Sequence, residues 1–423
     1  MLFCGFLTVS CACSQEARLP TVDGYVTRAT SASDFDVNGM HILCAGATRM
    51  PPGEVNTVKA CPQSSPYVGE PMRVYGSEKK KQHAVEATRI EPLTTPLGEV
   101  SGTAVIDAQP SQNPADAPAT GLLVRADGYR MMIDAKTLVA WVAPLHALSE
   151  VQAGDWIEYK GRKSSDGVLV ATSVKLSPDS VRTGEKKLRA KNDFDPSAVS
   201  PSARQSRASM AFIGIDPKRF PPYNDPAMQA RVTSVGEKLI PAYQRDLPDS
   251  DPARIEFRFQ LIDSKLFRDA LTLPSGVILV PHQVVERMQN DSQLAAVLAD
   301  NIACALEKQQ YRMQPASRAA TAALIGGAFV PYAGLAIQAG AMAGAYDLAV
   351  KARQQSGRVA LGLMHNAGYD IDEAPLAWWL LAPKRPKPLP GIQLPERAAY
   401  LYRILGETWN NPAAVHPIVN SGP

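Results

Sequence analysis

Residues 291–306 read DSQLAAVLADNIACAL. This stretch predicts a helix, and Asp291, Ser292 and Gln293 provide its N-terminal cap. The preceding run Val277-Ile278-Leu279-Val280 is continuously apolar and follows a Pro-Ser-Gly turn, which predicts a buried strand. A turn, a strand and a helix in this order therefore decide the fold of the C-terminal half.

Further landmarks flank this stretch. Residues 225–247 have the helical spacing of apolar side chains, and residues 255–262 alternate in the manner of a strand. A long helix containing Met364 precedes Ala367-Gly368-Tyr369-Asp370. In this order the landmarks resemble the zinc metallopeptidase family that includes the CAAX prenyl proteases and the HtpX-like proteases. The resemblance covers 225–381 and implies a mainly helical, zincin-like domain, which we assign to 223–412.

The chemistry of that family requires a HExxH motif on the helix. Two histidines at i and i+4 bind zinc from one helix face, and the glutamate accepts a proton from zinc-bound water. Here these positions hold Asp300, Asn301 and Cys304. Asn301 has no carboxylate, so it cannot act as the general base.

The third zinc ligand implied by the resemblance is a glutamate on the long helix. Counting back from Met364, its position holds Gln355, the aspartate position holds Gly357, and Arg358 alone is retained. Every metal ligand and the general base are therefore replaced together. We expect no catalytic residues, no bound metal, no other cofactor and no hydrolysis by the family mechanism.

Alternatives remain open at this stage. Asp300 and Cys304 lie at i and i+4, and both residue types ligate zinc when deprotonated, so an active metalloendopeptidase could use unorthodox zinc ligands. Otherwise Cys304 is a buried hydrophobic side chain and Asp300 an acid on the helix surface. A further alternative is a structural lipoprotein in which neither half binds a specific partner.

The N-terminal half contains a faint internal repeat of short alternating runs broken by glycine. Repeat one occupies 20–92 and repeat two occupies 97–177. Asn38-Gly39 and Asp127-Gly128 supply residues that tolerate positive φ in tight hairpin turns. The pattern predicts a small β-barrel in each repeat, similar to the OB-like barrels of bacterial exported proteins. The predicted class is therefore α+β, with tandem barrels followed by the helical domain.

The start of the chain predicts export. Residues 1–14 are apolar and uncharged, as in a secretory signal, and we assign 1–16 to a signal or lipoprotein leader. Cys11 and Cys13 follow small residues and are both candidates for lipidation. We therefore expect an exported protein, either periplasmic or anchored to a membrane as a lipoprotein. In an oxidising compartment Cys44 and Cys61 could pair, or remain independent small hydrophobic residues.

The composition of the chain limits the classes of partner that we expect it to bind. With 44 basic and 41 acidic residues the net charge is +3, and the repeats lack interleaved aromatic and basic residues, so we expect no nucleic acid. Residues 178–222 are rich in Ser, Pro, Lys and Arg and predict a linker. The stretch 319–346 has no charged residue, which predicts either packing or membrane association.

These patterns predict a binding function. The peptide-holding strand and cleft of a peptidase fold can survive the loss of its metal. We therefore expect a protein that binds or scaffolds envelope proteins or peptides, with Val277, Ile278, Leu279 and Val280 as candidates for the substrate strand.

Overall fold

The protein is described here from a computed structural model that covers residues 21–44, 61–94, 97–108, 121–198, 220–264, 267–315, 333–382 and 394–412. Two small β-barrels occupy the N-terminal half, and helices with a three-stranded sheet occupy the C-terminal half. The α+β class and the order of β units before helices are thereby confirmed.

The first repeat folds as a closed five-stranded barrel with strand order β1-β2-β3-β5-β4. Its alternating runs place one face inside, where Val26, Phe35 and Ile42 are fully buried. The strands are β1 (Val22–Ser31), β2 (Asp34–Val37), β3 (Met40–Cys44), β4 (Pro71–Lys79) and β5 (Ala84–Pro92).

The second repeat has an equivalent arrangement with one added strand. β6, β7, β8, β11 and β10 pair in that order, and β10 pairs back to β6. The added strand β9 pairs with β11 alone. The strands are β6 (Glu99–Ala108), β7 (Gly121–Ala126), β8 (Tyr129–Asp134), β9 (Leu138–Trp141), β10 (Trp156–Lys163) and β11 (Val168–Ser177).

The two predicted hairpin turns are confirmed. Asn38 and Gly39 have φ of 51° and 76°, and Asp127 and Gly128 have φ of 55° and 71°. Both turns contact the helical half. A Cβ atom on Gly39 would lie 2.5 Å from the ring of Trp379, and one on Gly128 would lie 2.5 Å from the backbone of Arg358. The glycines therefore permit close docking as well as the turn itself.

The region after the barrels is folded, not an open linker. Helix α1 (Thr183–Lys191) buries Glu185 and Leu188. Glu185 lies 3.3 Å from Lys308, and Lys308 also pairs with Asp179 at 2.6 Å. This part of the predicted linker therefore packs against the helical half, where its charged residues have partners. Residues 199–219 lie outside the described residues.

The helical half is built around one buried helix. Its elements are α2 (Pro226–Leu239), α3 (Ala242–Arg245), α4 (His282–Arg287), α5 (Asp291–Leu306), α6 (Ala333–Asn366), α7 (Glu373–Leu381), α8 (Glu396–Ile404), and a π-helical turn (Leu405–Trp409). The stretch quoted at the outset is α5. Asn290 caps it by accepting a hydrogen bond from the Gln293 amide at 2.9 Å.

The small sheet packs beside α5. Its strands are β12 (Arg258–Ile262), β13 (Leu271–Thr272) and β14 (Val277–Pro281), in the order β12-β14-β13. β12 and β14 run parallel, so their carboxyl ends meet at one edge of the sheet. Trp378 of α7 is buried, at 6% exposed, whereas Trp379 contacts the Gly39 turn of the first barrel.

Candidate functional site

Asp300 faces a positively charged side chain from the C-terminal helix α8. Nη2 of Arg397 lies 2.5 Å from Oδ1 of Asp300. The same oxygen accepts a hydrogen bond from the Ser356 hydroxyl at 2.8 Å. Asp300 is only 8% exposed, so the expectation of a helix-surface acid is wrong. A guanidinium group supplies the positive charge that this buried carboxylate requires.

Arg397 is held by two further contacts. Its Nη1 donates a hydrogen bond to Oδ2 of Asp269 at 3.2 Å, and its guanidinium carbon lies 3.2 Å from the ring centre of Trp378. Desolvation of its carboxyl group raises the pKa of Asp269 to about 6, although the positive charge of Arg397 opposes this. Since 44% of the Asp269 side chain is exposed, solvent screens part of its charge.

Asn301 is hydrogen-bonded to the small sheet. Its Oδ1 accepts a hydrogen bond from the Thr272 hydroxyl at 2.6 Å, and its Nδ2 donates to the Val297 carbonyl at 2.8 Å. Both ends of the amide are therefore engaged: the bond to Thr272 joins α5 to β13, and the bond to Val297 lies within α5. An amide used in this way has no proton-accepting role.

Cys304 is the free cysteine of the described chain, and its Sγ accepts a hydrogen bond from the Gln310 amide at 3.2 Å. Burial and the nearby Asp300 carboxylate raise the pKa of its thiol to about 12. A metal ligand or nucleophile requires the thiolate form. The structure therefore favours the simpler interpretation of Cys304 as a packed thiol.

The low thiolate content of Cys304 leads to a testable expectation. At pH 8 the native protein should label with maleimide at Cys304 at least about tenfold more slowly than the urea-unfolded protein. Mass spectrometry of the peptide carrying Cys304 separates this signal from the other cysteines. Equal labelling rates in the two states would contradict the assignment.

The position predicted for the third ligand faces the second barrel. Gln355 Nε2 donates a hydrogen bond to the carbonyl of Thr103 in β6 at 2.9 Å. On α6, the side chain that contacts Asp300 belongs to the neighbouring residue Ser356. A Cβ atom on Gly357 would lie 3.3 Å from a methyl group of Leu401, a tight contact. The second barrel therefore covers the face of α6 on which the resemblance places a ligand.

A buried ion pair fastens that barrel to α6. Arg358 Nη2 lies 2.5 Å from Oδ1 of Asp127, and its Nε donates to the Asp127 carbonyl at 3.0 Å. Tyr159 donates its hydroxyl to the other oxygen of Asp127 at 2.5 Å. The guanidinium also lies over the ring of Tyr129. The retained arginine of the resemblance thus has a structural role between two parts of this chain.

Further buried acids line the same interface. Glu307 accepts a hydrogen bond from the Val105 amide at 3.2 Å, and burial raises its pKa well above the usual range. Asp107 pairs with Arg125 at 2.6 Å, and burial raises the pKa of this carboxyl as well. The interface therefore consists of specific polar contacts that a loosely tethered barrel would not make.

The strand Val277–Val280 does not present a free edge. All four residues are fully buried, and Ile278 and Leu279 pair with β12 on one side and β13 on the other. The outer edge of β12 is closed by Gln229, whose amide exchanges hydrogen bonds with Phe259 and Leu261, both at 2.8 Å. Addition of a peptide strand requires an unpaired edge, so this placement argues against the predicted substrate strand.

The four cysteine candidates and two histidines of the helical half are placed as follows. Cys44 and Cys61 form a disulfide, while Cys11 and Cys13 lie outside the described residues. His282 stacks on Tyr223 with ring centres 4.0 Å apart and contacts Glu286 at 2.9 Å. His365 packs against Trp409, and burial lowers its pKa.

The residues at the position where the resemblance implies zinc do not fit a zinc ion. Asn301 offers no carboxylate, Cys304 holds its proton, and Arg397 already places a cation against Asp300. Within the described ranges no group of three or more His, Cys, Asp or Glu side chains is arranged to hold a metal. No helix in the described ranges is long and apolar enough to cross a membrane. Residues 319–332 of the uncharged stretch lie outside those ranges.

An open groove of about 630 Å³ lies on the outer face of the second barrel. Residues of β6, β9, β10 and β11 line it. Leu138 is 74% exposed, and Glu158 pairs with Lys175 at 2.9 Å. The lining includes Ser101, Thr103, Leu138, Glu158, Lys160 and Lys175. Apolar and charged groups side by side are suited to binding an amphipathic ligand.

Comparison with known proteins adds one similarity. A family model described as a domain of unknown function, DUF5666, matches residues 128–175. This range runs from Gly128 of the docking turn through most of β11, so it includes β8, β9 and β10 and most of the groove. A search of curated proteins finds no match to the chain.

The sequence analysis did not single out Arg397, Asp269 or Ser356. Arg397 belongs to a stretch with an amphipathic helical pattern, and nothing in that pattern separates it from a solvated surface arginine. Its partners come from separate parts of the chain. Only the folded structure therefore identifies it as a central residue of the site.

Proposed function

We propose that this protein is a non-hydrolytic, metallopeptidase-like binding protein of the cell envelope. One observation carries the proposal: the guanidinium of Arg397 stands against Asp300, at the position where the resemblance implies a metal ligand. A positively charged group there repels a metal ion. The neighbouring Asn301 supports the loss of hydrolysis, because it cannot replace the general base.

The finer fold assignments belong to the same proposal. The parallel pair β12 and β14, the hairpin β13-β14, and the helices α5 and α6 support a zincin-like domain. The strand order of the first barrel, with β5 between β3 and β4, supports an OB-like barrel. The similarity of α5 to the family sequence supplies the remaining argument.

Envelope location and lipid anchoring are proposed from the sequence. The uncharged start of the chain and the candidate cysteines Cys11 and Cys13 support export with lipidation. The Cys44–Cys61 disulfide agrees with an oxidising compartment. We propose envelope proteins or peptides as partners, and the groove around Leu138 as the surface that contacts them.

Metal content tests the loss of hydrolysis. The purified protein, dialysed and subjected to elemental analysis, should contain no stoichiometric zinc and should not cleave casein. The double variant Asp300→Ala, Cys304→Ala is the control. Near-stoichiometric zinc that the variant loses would overturn the proposal in favour of a metalloendopeptidase with unorthodox ligands.

The binding role needs a separate test. A partner captured from an envelope extract should bind the purified protein directly, and Leu138→Lys should weaken that binding. An Arg162→Gln variant, altered at a 71% exposed arginine, is the matched control.

The buried, doubly paired β14 favours a second candidate, a structural lipoprotein. Failure to find any partner sensitive to Leu138→Lys would support that candidate.

A further inference from the structure

A smaller cavity is distinct from the groove, and neither Arg397 nor its partners line it. It has a volume of about 220 Å³ and is lined by residues from four segments: Ser264, Phe267, Arg268, Gln283, Val284, Arg287 and Leu381. Ser264 follows β12, and Gln283 and Val284 begin α4 directly after β14. The cavity therefore opens at the carboxyl ends of two parallel strands, the edge at which open sheets in α/β proteins commonly bind ligands.

Two arginines give the cavity its charge. Arg268 and Arg287 are both exposed, and neither has an acidic partner within 4.0 Å among the residues that the structure describes. The nearby acids are directed elsewhere, since Glu286 and Asp263 lie 2.9 and 3.8 Å from the ring of His282. Two guanidinium groups without carboxylates favour an anionic ligand.

The rest of the lining is apolar. Val284 and Leu381 are buried, and Phe267 stacks on Phe220 with ring centres 5.3 Å apart. Inorganic phosphate would leave this apolar surface unused. The volume is below the roughly 300 Å³ at which pockets for whole small molecules begin, so it suits a single residue more than a long lipid chain.

We propose that this cavity binds the carboxyl-terminal residue of a peptide that ends in an aliphatic side chain. The terminal carboxylate pairs with Arg268 and Arg287, and the side chain packs on Phe267, Val284 and Leu381. A peptide C-terminus combines the anion and the apolar group in one residue. The inference rests on the proposed function only for the identity of the biological partner. Binding by the cavity itself can be tested with a synthetic peptide.

The test uses a fluorescein-labelled hexapeptide that ends in leucine, with either a free carboxylate or a C-terminal amide. Fluorescence anisotropy with the full chain should show saturable binding of the free acid, weakened about ten- to hundredfold for the amide. The double variant Arg268→Gln, Arg287→Gln should weaken binding of the free acid to the same degree. Arg162→Gln, which removes one exposed arginine outside the cavity, should leave it unchanged.

Competition experiments with the wild-type protein give a second readout that does not depend on a variant. N-acetylleucine should displace the labelled peptide, and inorganic phosphate at the same concentration should not. Equal displacement by phosphate, equal binding of acid and amide, or no binding of the acid would each overturn the proposal. Peptide binding without any envelope partner at the groove would uphold this site and count against the proposed function.

Discussion

Replacement of Arg397 by alanine should lower the free energy of unfolding by about 3 kcal/mol at pH 7.5. The variant leaves Asp300 and Asp269 facing each other without their shared cation. Loss of one partner from a buried ion pair typically costs about 3 to 5 kcal/mol, and we expect the lower end because Asp269 is partly exposed. Loss of the contact with Trp378 adds to the effect.

The loss should depend on pH in a defined direction. In the native protein the pKa of Asp269 is raised to about 6, so the folded state binds this proton more tightly than the unfolded chain. Such a group stabilises the fold fully at pH below its unfolded pKa, and this contribution disappears as pH rises through 6. Removal of Arg397 takes away the positive charge that opposes this rise, so the pKa of Asp269 should increase further. The destabilisation should therefore be smaller at pH 5 than at pH 7.5.

Urea unfolding at the two pH values measures both expectations. The control is the triple variant Arg397→Met, Asp300→Asn, Asp269→Asn, which removes all three charges and should recover most of the stability at pH 7.5. A loss below about 1 kcal/mol for Arg397→Ala, or an identical loss at both pH values, would show that Arg397 is not the required counter-charge.

Asp127→Asn should cost about 3 kcal/mol and loosen the second barrel from α6. The substitution gives this turn the Asn-Gly sequence that the first barrel uses at Asn38-Gly39, so the positive φ remains tolerated. What is lost is the negative charge opposite Arg358, which becomes a buried and unpaired cation. The hydrogen bond from Tyr159 weakens as well, because its acceptor is no longer ionised.

A double-mutant cycle with Arg358→Met isolates the pair. We expect a coupling energy of about 2 kcal/mol or more, since the two side chains are in contact and buried. Amide exchange at Val105, whose N–H is bonded to Glu307 across the interface, should become faster in Asp127→Asn. The matched control is Asp34→Asn, which breaks an exposed pair with Arg28 and should change stability by less than about 0.5 kcal/mol. Additive losses in the cycle would contradict the pairing.

Local patterns in the sequence determined much of the fold. The Asn38-Gly39 and Asp127-Gly128 turns, the repeated alternating runs of the barrels and the helix over Asp291–Leu306 all depend on neighbouring residues and on periodicity. The presence of Asn301 at the general-base position is likewise visible in the sequence. These features need no knowledge of what packs against them.

Which residues pack against each helix face and strand edge was decided only by the tertiary structure. Periodicity shows that one face of a helix is covered, but it does not show by what. Asp300 meets Arg397 from the last helix, and Arg358 meets Asp127 from a barrel 231 residues earlier in the chain. The same limit explains why the sequence suggested a substrate strand at Val277–Val280. The apolar run could not reveal that both edges of this strand are paired. Contacts between distant segments depend on the complete packing, and a local pattern contains no record of it.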